Sequence, residues 1–114
     1  MGRSVTRNEE IVWASALFEG EGYLTFGNNS RHGQWTFGLE MTDDDAVRQF
    51  ASFVGVGNTL PSYAPAHQAL GNKPMTRWTC SRQEDALALA HMMYPYLCAR
   101  RRAKIDEFIG DMQP

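Results

Sequence analysis

An α+β fold, one four-stranded antiparallel sheet with helices on one face, follows from three features of the sequence. Apolar stretches at helical spacing alternate with pairs of short strand-like runs. Helices open on recognisable caps, and polar, glycine-containing turns separate the strands of each pair. The resulting order, α-ββ-α-ββ-α-α, sets paired strands between helices, as expected of a sheet covered on one side and not of a parallel βαβ layout. At 114 residues, 43% of them hydrophobic, the chain can build one core. Without a linker or low-complexity segment, residues 1–114 read as a single domain.

Thr6 and Glu9 form a capping box that opens a first helix running to about Glu19. Between Ile11 and Phe18 only Ser15 is polar, so this helix has no solvent face and must be covered on more than one side. In a domain with a single core layer, the economical cover is the chain's own core on one side and a second copy on the other. A homodimer is therefore expected, with Trp13, Ala16, Leu17 and Gly20 at its interface. Ala16 and Gly20, four residues apart, share one helix face and let another helix approach closely.

Gly20 and Gly22 break the helix, and a strand begins at Tyr23-Leu24-Thr25-Phe26. A polar turn over Gly27–Gly33 leads to a second strand, Gln34–Met41. Thr42 followed by Asp43, Asp44 and Asp45 starts a second helix with acids where the helix dipole favours them. Ala46, Val47, Phe50, Phe53 and Val54 face inward and Gly55 ends it. Strands over Val56–Tyr63 and Met75–Ser81 form the second hairpin, joined by a loop containing Pro65, Gly71 and Pro74. Ser81 and Glu84 suggest another capping box, with a helix through Tyr94; Pro95 interrupts it, and a last helix spans Tyr96–Ile109.

Composition narrows the function classes. No apolar run approaches the ~20 residues of a membrane helix, and the N-terminus MGRSVTRNEE lacks a signal-peptide core. Cys80 and Cys98 lack CxxC spacing and read as buried free thiols in a reducing, cytoplasmic setting. His32, His67 and His91 have no zinc-ligand spacing, and Asp43–Asp45 is better explained as an acid-rich first turn than as a metal triad. Gly20-x-Gly22 follows no strand and is not a dinucleotide fingerprint. A small-molecule substrate is not expected. The net charge of −2 conceals an uneven distribution: residues 22–39, 46–83 and 86–105 contain no acid at all. If the acids sit at helix ends, a basic face can coexist with the negative total.

The most informative stretch is WASALFEGEGYLTF. It puts carboxylates at the C-terminal end of a doubly covered helix, where the dipole is already negative and disfavours them by about 0.3–1 kcal/mol. Such a placement suggests a counter-charge, for which a divalent cation is a natural candidate.

This stretch resembles the LAGLIDADG motif of homing endonucleases, an apolar-and-small helix ending in D/E-G-D/E-G before a strand. TFGLEMTDDDAVRQFASFVGVGNTL is similar to the family's second strand, acidic helix start and GVG segment, and YPYLCARRRAKIDEFI to its C-terminal helix. The resemblance covers about Asn8 to Ile109. It implies a homodimer that binds a long pseudo-palindromic site in double-stranded DNA and hydrolyses phosphodiesters in both strands with magnesium or another divalent metal. By the same resemblance Glu21 is the metal-binding, catalytic carboxylate and the Gly20 carbonyl a secondary ligand. Glu19 is then structural, and Arg100 lies near the scissile phosphate. Met41 stands about where many members carry a polar, water-ordering residue. That difference and the low net charge keep a non-catalytic DNA-binding regulator open as an alternative. The family resemblance keeps open an RNA-splicing maturase, since some members act as maturases.

In this family the sheet straddles the duplex, and period-2 alternation indicates which side chains would meet it. With Leu24, Phe26, Phe37 and Leu39 inward, the outward set is Thr25, Asn29, Arg31, Gln34, Thr36, Asn58, Ser62, Lys73, Arg77 and Thr79, with Gly27, Gly38 and Met75 beside them. None of these is acidic. Arg77 suits guanine, and Asn29 or Gln34 adenine.

Overall fold

The structure, a computed structural model, describes residues 4–27, 33–62 and 74–112, with backbone only at Ser62. The expectations for Asn29, Arg31 and Lys73 lie outside the described residues. The elements follow in the order α1 (Arg7–Glu21), β1 (Gly22–Gly27), β2 (Gln34–Met41), α2 (Asp44–Val54), β3 (Asn58–Ser62), β4 (Met75–Cys80), α3 (Gln83–Met93), a 3₁₀ turn (Tyr94–Tyr96) and α4 (Ala99–Met112). The strands make one antiparallel sheet ordered β1-β2-β4-β3. Among the described residues no helix is long and apolar enough to cross a membrane.

Alternation along the strands builds the core on one face of the sheet. Trp35, Phe37 and Leu39 of β2 and Trp78 and Cys80 of β4 are buried there. Phe37 meets Phe18 of α1 (ring centroids 5.7 Å apart) and Phe108 of α4 (5.5 Å), so one ring orients two helices. Trp78 receives Phe50 of α2 edge-on at 4.8 Å, and its indole N–H donates to the Val56 carbonyl at 2.9 Å. Such aromatic pairs add about 0.5–1.5 kcal/mol beyond their area and fix orientation. Phe26 lies on the same side, tilted against Trp35 at 5.4 Å, but at the rim, where it is half exposed.

The caps explain most element boundaries. In α1 Thr6 Oγ1 accepts from the Glu9 N–H while a Glu9 carboxylate oxygen accepts from the Thr6 N–H, the reciprocal box expected from the sequence. Asp43 caps α2 by accepting from the Ala46 N–H, and Asp44 accepts from Thr76 Oγ1 (2.7 Å) and Arg48. The Thr76 bond, then Arg48, holds the Asp44 carboxyl below its ordinary value. That contribution to stability is present above the ordinary carboxylate range and is lost as pH falls through the lowered value. Two of the three acids of Asp43–Asp45 are thus committed to structure.

The structure departs from the sequence expectation at several places, three of them informative. The helix α1 continues two residues past Glu19, making Glu21 its last residue. No capping box forms at Ser81: Arg82 occupies the cap position of α3 without a side-chain bond, because Ser81 Oγ pairs with Thr36 Oγ1 across the sheet at 2.9 Å. Cys98, expected to be buried, is exposed just ahead of α4, whereas Cys80 is in the core.

Burial, and secondarily Asp85, pushes the Cys80 thiol up to about 11. Iodoacetamide at neutral pH is therefore expected to label Cys98 in the native protein and Cys80 only after denaturation, as read by intact and peptide mass spectrometry. Equal native labelling of both thiols would contradict this packing.

Candidate metal and nucleic-acid interface

The C-terminal turn of α1 is held from two directions. Gly22 follows the helix with its N–H on the Phe18 carbonyl, and a Cβ at Gly22 would stand 2.3 Å from the Phe18 ring. Glycine is required there by close approach. The preceding Glu19 is tied to the start of α4: its Oε1 accepts from the Cys98 N–H at 2.7 Å. In return Arg101 of α4 donates to the Glu19 carbonyl through Nε (3.4 Å) and Nη2 (3.2 Å), with its guanidinium 5.4 Å from the Phe18 ring centroid. The Arg101 and Glu19 charges come within 3.9 Å, the arginine side chain being only 15% exposed. Burial and neighbouring Arg100 pull Arg101 below the usual arginine value, and Glu19 opposes them. Glu19 is therefore a structural acid, and an exposed Glu21 is left at the end of the helix.

The outward face of α1 inverts the usual pattern. Ser15, its only polar residue between Ile11 and Phe18, is fully buried with no hydrogen-bond partner for Oγ. Val12 (39%) and Trp13 (37%) are exposed, as are Ala16 and Gly20, with Leu17 half-buried. Trp13, Ala16, Leu17 and Gly20 thus lie along one stripe at helical spacing. A Cβ at Gly20 would meet nothing within 4 Å, so the folded single chain does not require glycine there. A groove of about 450 Å³ lined by Val5, Val12, Trp13 and Phe53 continues this apolar surface towards α2.

The basic run opening α4 divides by role. Arg101 is spent on α1, as described. Arg102 donates to the carbonyls of Tyr94 (3.1 Å) and Pro95 (2.8 Å). Lys104 pairs with Glu107 at 3.5 Å and lies over the Trp35 ring. Arg100 is exposed and, among the described residues, makes no hydrogen bond or ion pair. A cleft of about 190 Å³ lined by Tyr23, Leu24, Arg100, Arg101 and Lys104 places Arg100 beside the strand that leaves Glu21.

The sheet face turned away from the helices is arranged in rows set by strand register. Gly27 pairs with Gln34 and Thr25 with Thr36. The next row runs Tyr23, Gly38, Thr79, Asn58, and the one after it Glu40, Arg77, Leu60. Ser62 pairs with Met75. Thr25, Gln34, Thr36, Asn58, Arg77 and Thr79 therefore share the outer face, as alternation requires. The face is not free of acid, however: Glu40 lies on it, its Oε2 accepting from Arg77 Nε at 2.9 Å. Tyr23 and Leu60 were also missed; Tyr23 covers Gly38, where a Cβ would sit 2.0 Å from its ring. The same period-2 count identifies all three when it is carried one step further, to Tyr23 on β1 and Glu40 on β2, and run without a gap from Asn58 through Leu60 to Ser62. Met41 falls on the opposite, core side.

No group of three or more His, Cys, Asp or Glu side chains able to hold a metal occurs among the described residues. What the end of α1 offers is one exposed carboxylate, Glu21, and last-turn carbonyls including Gly20, which a helix cannot satisfy internally. An all-oxygen donor set of this kind suits a hard divalent cation, with positions left for other ligands.

No family model and no curated protein matches the sequence. Solved structures do match its shape. The homing endonuclease I-CvuI, in complex with its target in the presence of calcium, superimposes with a TM-score of 0.71 at 13% identity, over 88% of this chain and 63% of that one. The group I intron-encoded homing endonuclease I-CeuI, complexed with DNA, gives 0.67 at 12% identity over 92% and 53%. The LAGLIDADG meganuclease I-AabMI, bound to uncleaved DNA, gives 0.63 at 16% over 84% and 33%. The chain thus spans less than two-thirds of the length of each of these proteins.

Arg101→Ala is expected to lower unfolding stability by about 1–3 kcal/mol, since it leaves the Glu19 carbonyl and Phe18 uncovered. Arg100→Ala should change it by no more than about 0.5 kcal/mol. Chemical denaturation midpoints check the contrast; equal effects would mean that Arg101 is not the helix-end clamp.

Proposed function

We propose that this chain, which has the fold of the LAGLIDADG homing endonucleases, is a member of that family. In this reading it works as a homodimer that binds a long pseudo-palindromic DNA site and cleaves both strands with magnesium or another divalent metal. The observation that carries it is the end of α1, where an exposed Glu21 terminates a helix whose outward face is an exposed apolar stripe. Two copies joined along Trp13, Ala16, Leu17 and Gly20 would bring two Glu21 carboxylates together at the dimer axis. One carboxylate is an incomplete ligand set; two, with the Gly20 carbonyls and phosphate oxygens, make a reasonable one.

When bound, the metal would supply an activated water and charge stabilisation at the phosphate. The chain's own residues do the rest. Glu21 and the Gly20 carbonyl hold the cation's place, and Glu19 and Arg101 keep that turn in position. Arg100, unpaired within the described chain, is available for charge developing on the scissile phosphate. The outer face, with Thr25, Gln34, Thr36, Asn58, Arg77 and Thr79, enters the major groove; Asn29, Arg31, Ser62 and Lys73 are assigned to DNA binding from the sequence alone. A DNA-binding regulator of the same fold is the second reading, favoured by Met41: it is turned to the core side, so that no polar water-ordering side chain stands at that position.

Light scattering at micromolar concentration should give a dimer, weakened by Gly20→Leu and not by Arg102→Ala; a stable monomer would sink the assembly. Neutralising ~6–10 phosphates per dimer should cost about 10³–10⁵ in affinity between about 50 and 200 mM salt. On a duplex selected by the protein, Glu21→Gln should abolish cleavage while binding persists or tightens, because carboxylate–phosphate repulsion falls. Tight binding without cutting by wild type across magnesium and manganese titrations decides for the regulator.

A further inference from the structure

One row of the outer face lies level with the end of α1. Gly22, the first residue after α1, pairs with Leu39, and Glu40 is the next residue along β2. Arg77 is its partner on β4, and Leu60 the partner of Arg77 on β3. Glu40 and Arg77 are 29% and 48% exposed in their side chains, and Leu60 is 57% exposed. A pair this exposed contributes little to stability, so its consequence is orientation. The carboxylate engages the arginine at Nε. Among the described residues the two terminal nitrogens of Arg77 make no hydrogen bond, and they form a fork of donors on a side chain whose freedom is already reduced. That fork matches the O6 and N7 acceptors of guanine.

Leu60 poses the complementary question. It is a large apolar side chain on a polar face, away from the core and more than half exposed. In the major groove the feature an apolar side chain fits is the 5-methyl group of thymine. Cross-strand neighbours stand about 4.5–5.5 Å apart, not far above the ~3.4 Å spacing of bases along a strand. Arg77 and Leu60 therefore address the same or adjacent base pairs.

We propose that Glu40, Arg77 and Leu60 form one reading unit that selects a guanine beside a thymine in each half-site. Arg77 donates to the guanine, Glu40 is the positioning residue that aims it, and Leu60 packs on the thymine methyl. This rests on the outer face being the DNA-binding surface, and adds to it the determinants of one position and the base feature they take.

The full-length protein is used to select duplexes from a randomised library. Affinities are then measured by fluorescence anisotropy on a selected duplex and on the same duplex with deoxyuridine replacing the thymine. Selected duplexes should share a guanine–thymine feature at one position of both half-sites. Deoxyuridine should weaken wild type about fourfold per half-site, the loss expected for one buried methyl group, and should leave Leu60→Ala indifferent. Glu40→Gln should keep overall affinity but lose about tenfold of the preference for guanine. Recovery of a consensus without that feature, or equal wild-type affinity for the deoxyuridine duplex, overturns the reading unit while leaving DNA binding intact. Failure to enrich any duplex overturns the DNA-binding reading and the unit with it.

Discussion

The exchange between Glu19 and the start of α4 is the contact on which the proposed site depends. Glu19 accepts from the Cys98 N–H, and Arg101 donates to the Glu19 carbonyl. Each helix end thereby satisfies backbone groups of the other, the unpaired carbonyl of one and the unpaired N–H of the other. Because both groups are terminal and charged partners are involved, the exchange is stronger than a neutral hydrogen bond. It also has a geometric result. Glu21 follows Glu19 by two residues, and Arg100 precedes Arg101 by one, so clamping the inner pair sets where the outer pair stands. Glu21 and Arg100, next to the clamped residues, are both left exposed.

The second constraint is the inversion along α1. A helix that buries its one serine and exposes a tryptophan, a valine and a glycine with open space beside it is not arranged for water. Within the chain the glycine at position 20 has no packing purpose, although its cost to helix stability is about 1 kcal/mol relative to alanine. A second helix laid against Ala16 and Gly20 accounts for the glycine and covers the exposed tryptophan edge in one step. The groove towards Phe53 extends the same apolar surface.

The fold was legible in the sequence because its signals are local and redundant. The Thr6–Glu9 box, the Asp43 cap and the inward alternation of Phe37 and Leu39 each follow from neighbours a few residues apart. What was not legible depended on partners far along the chain. Ser81 has the sequence of a cap, but Thr36, 45 residues away, takes its hydroxyl. In the sequence Arg101 is one of three consecutive arginines, and only the fold brings it under Glu19. Glu40 was passed over because the second strand's outward positions were counted only as far as Gly38. The Glu19 and Glu21 roles, by contrast, came from the family resemblance more than from physics, since a helix-end carboxylate alone admits an ordinary structural explanation.

The apparent conflict between a net charge of −2 and the proposed nucleic-acid surface eases when the engaged acids are followed to their partners. Asp43 is a helix cap and Asp44 is bound by Thr76 and Arg48. Glu19 is consumed by the clamp, and Asp111 accepts from the Trp35 indole N–H at 2.8 Å. Glu10 faces Arg7, and Glu107 faces Lys104. These charges enter the total but are local to helix ends and pairs, where a phosphate one Debye length away (about 8–10 Å) barely senses them. On the sheet face the described acid is Glu40, already offset by Arg77, while Arg100 beside Tyr23 carries an uncompensated positive charge. The field that a duplex would meet is thus set by where the acids are engaged and not by their number, which is why the sum over the sequence is a poor guide to the partner.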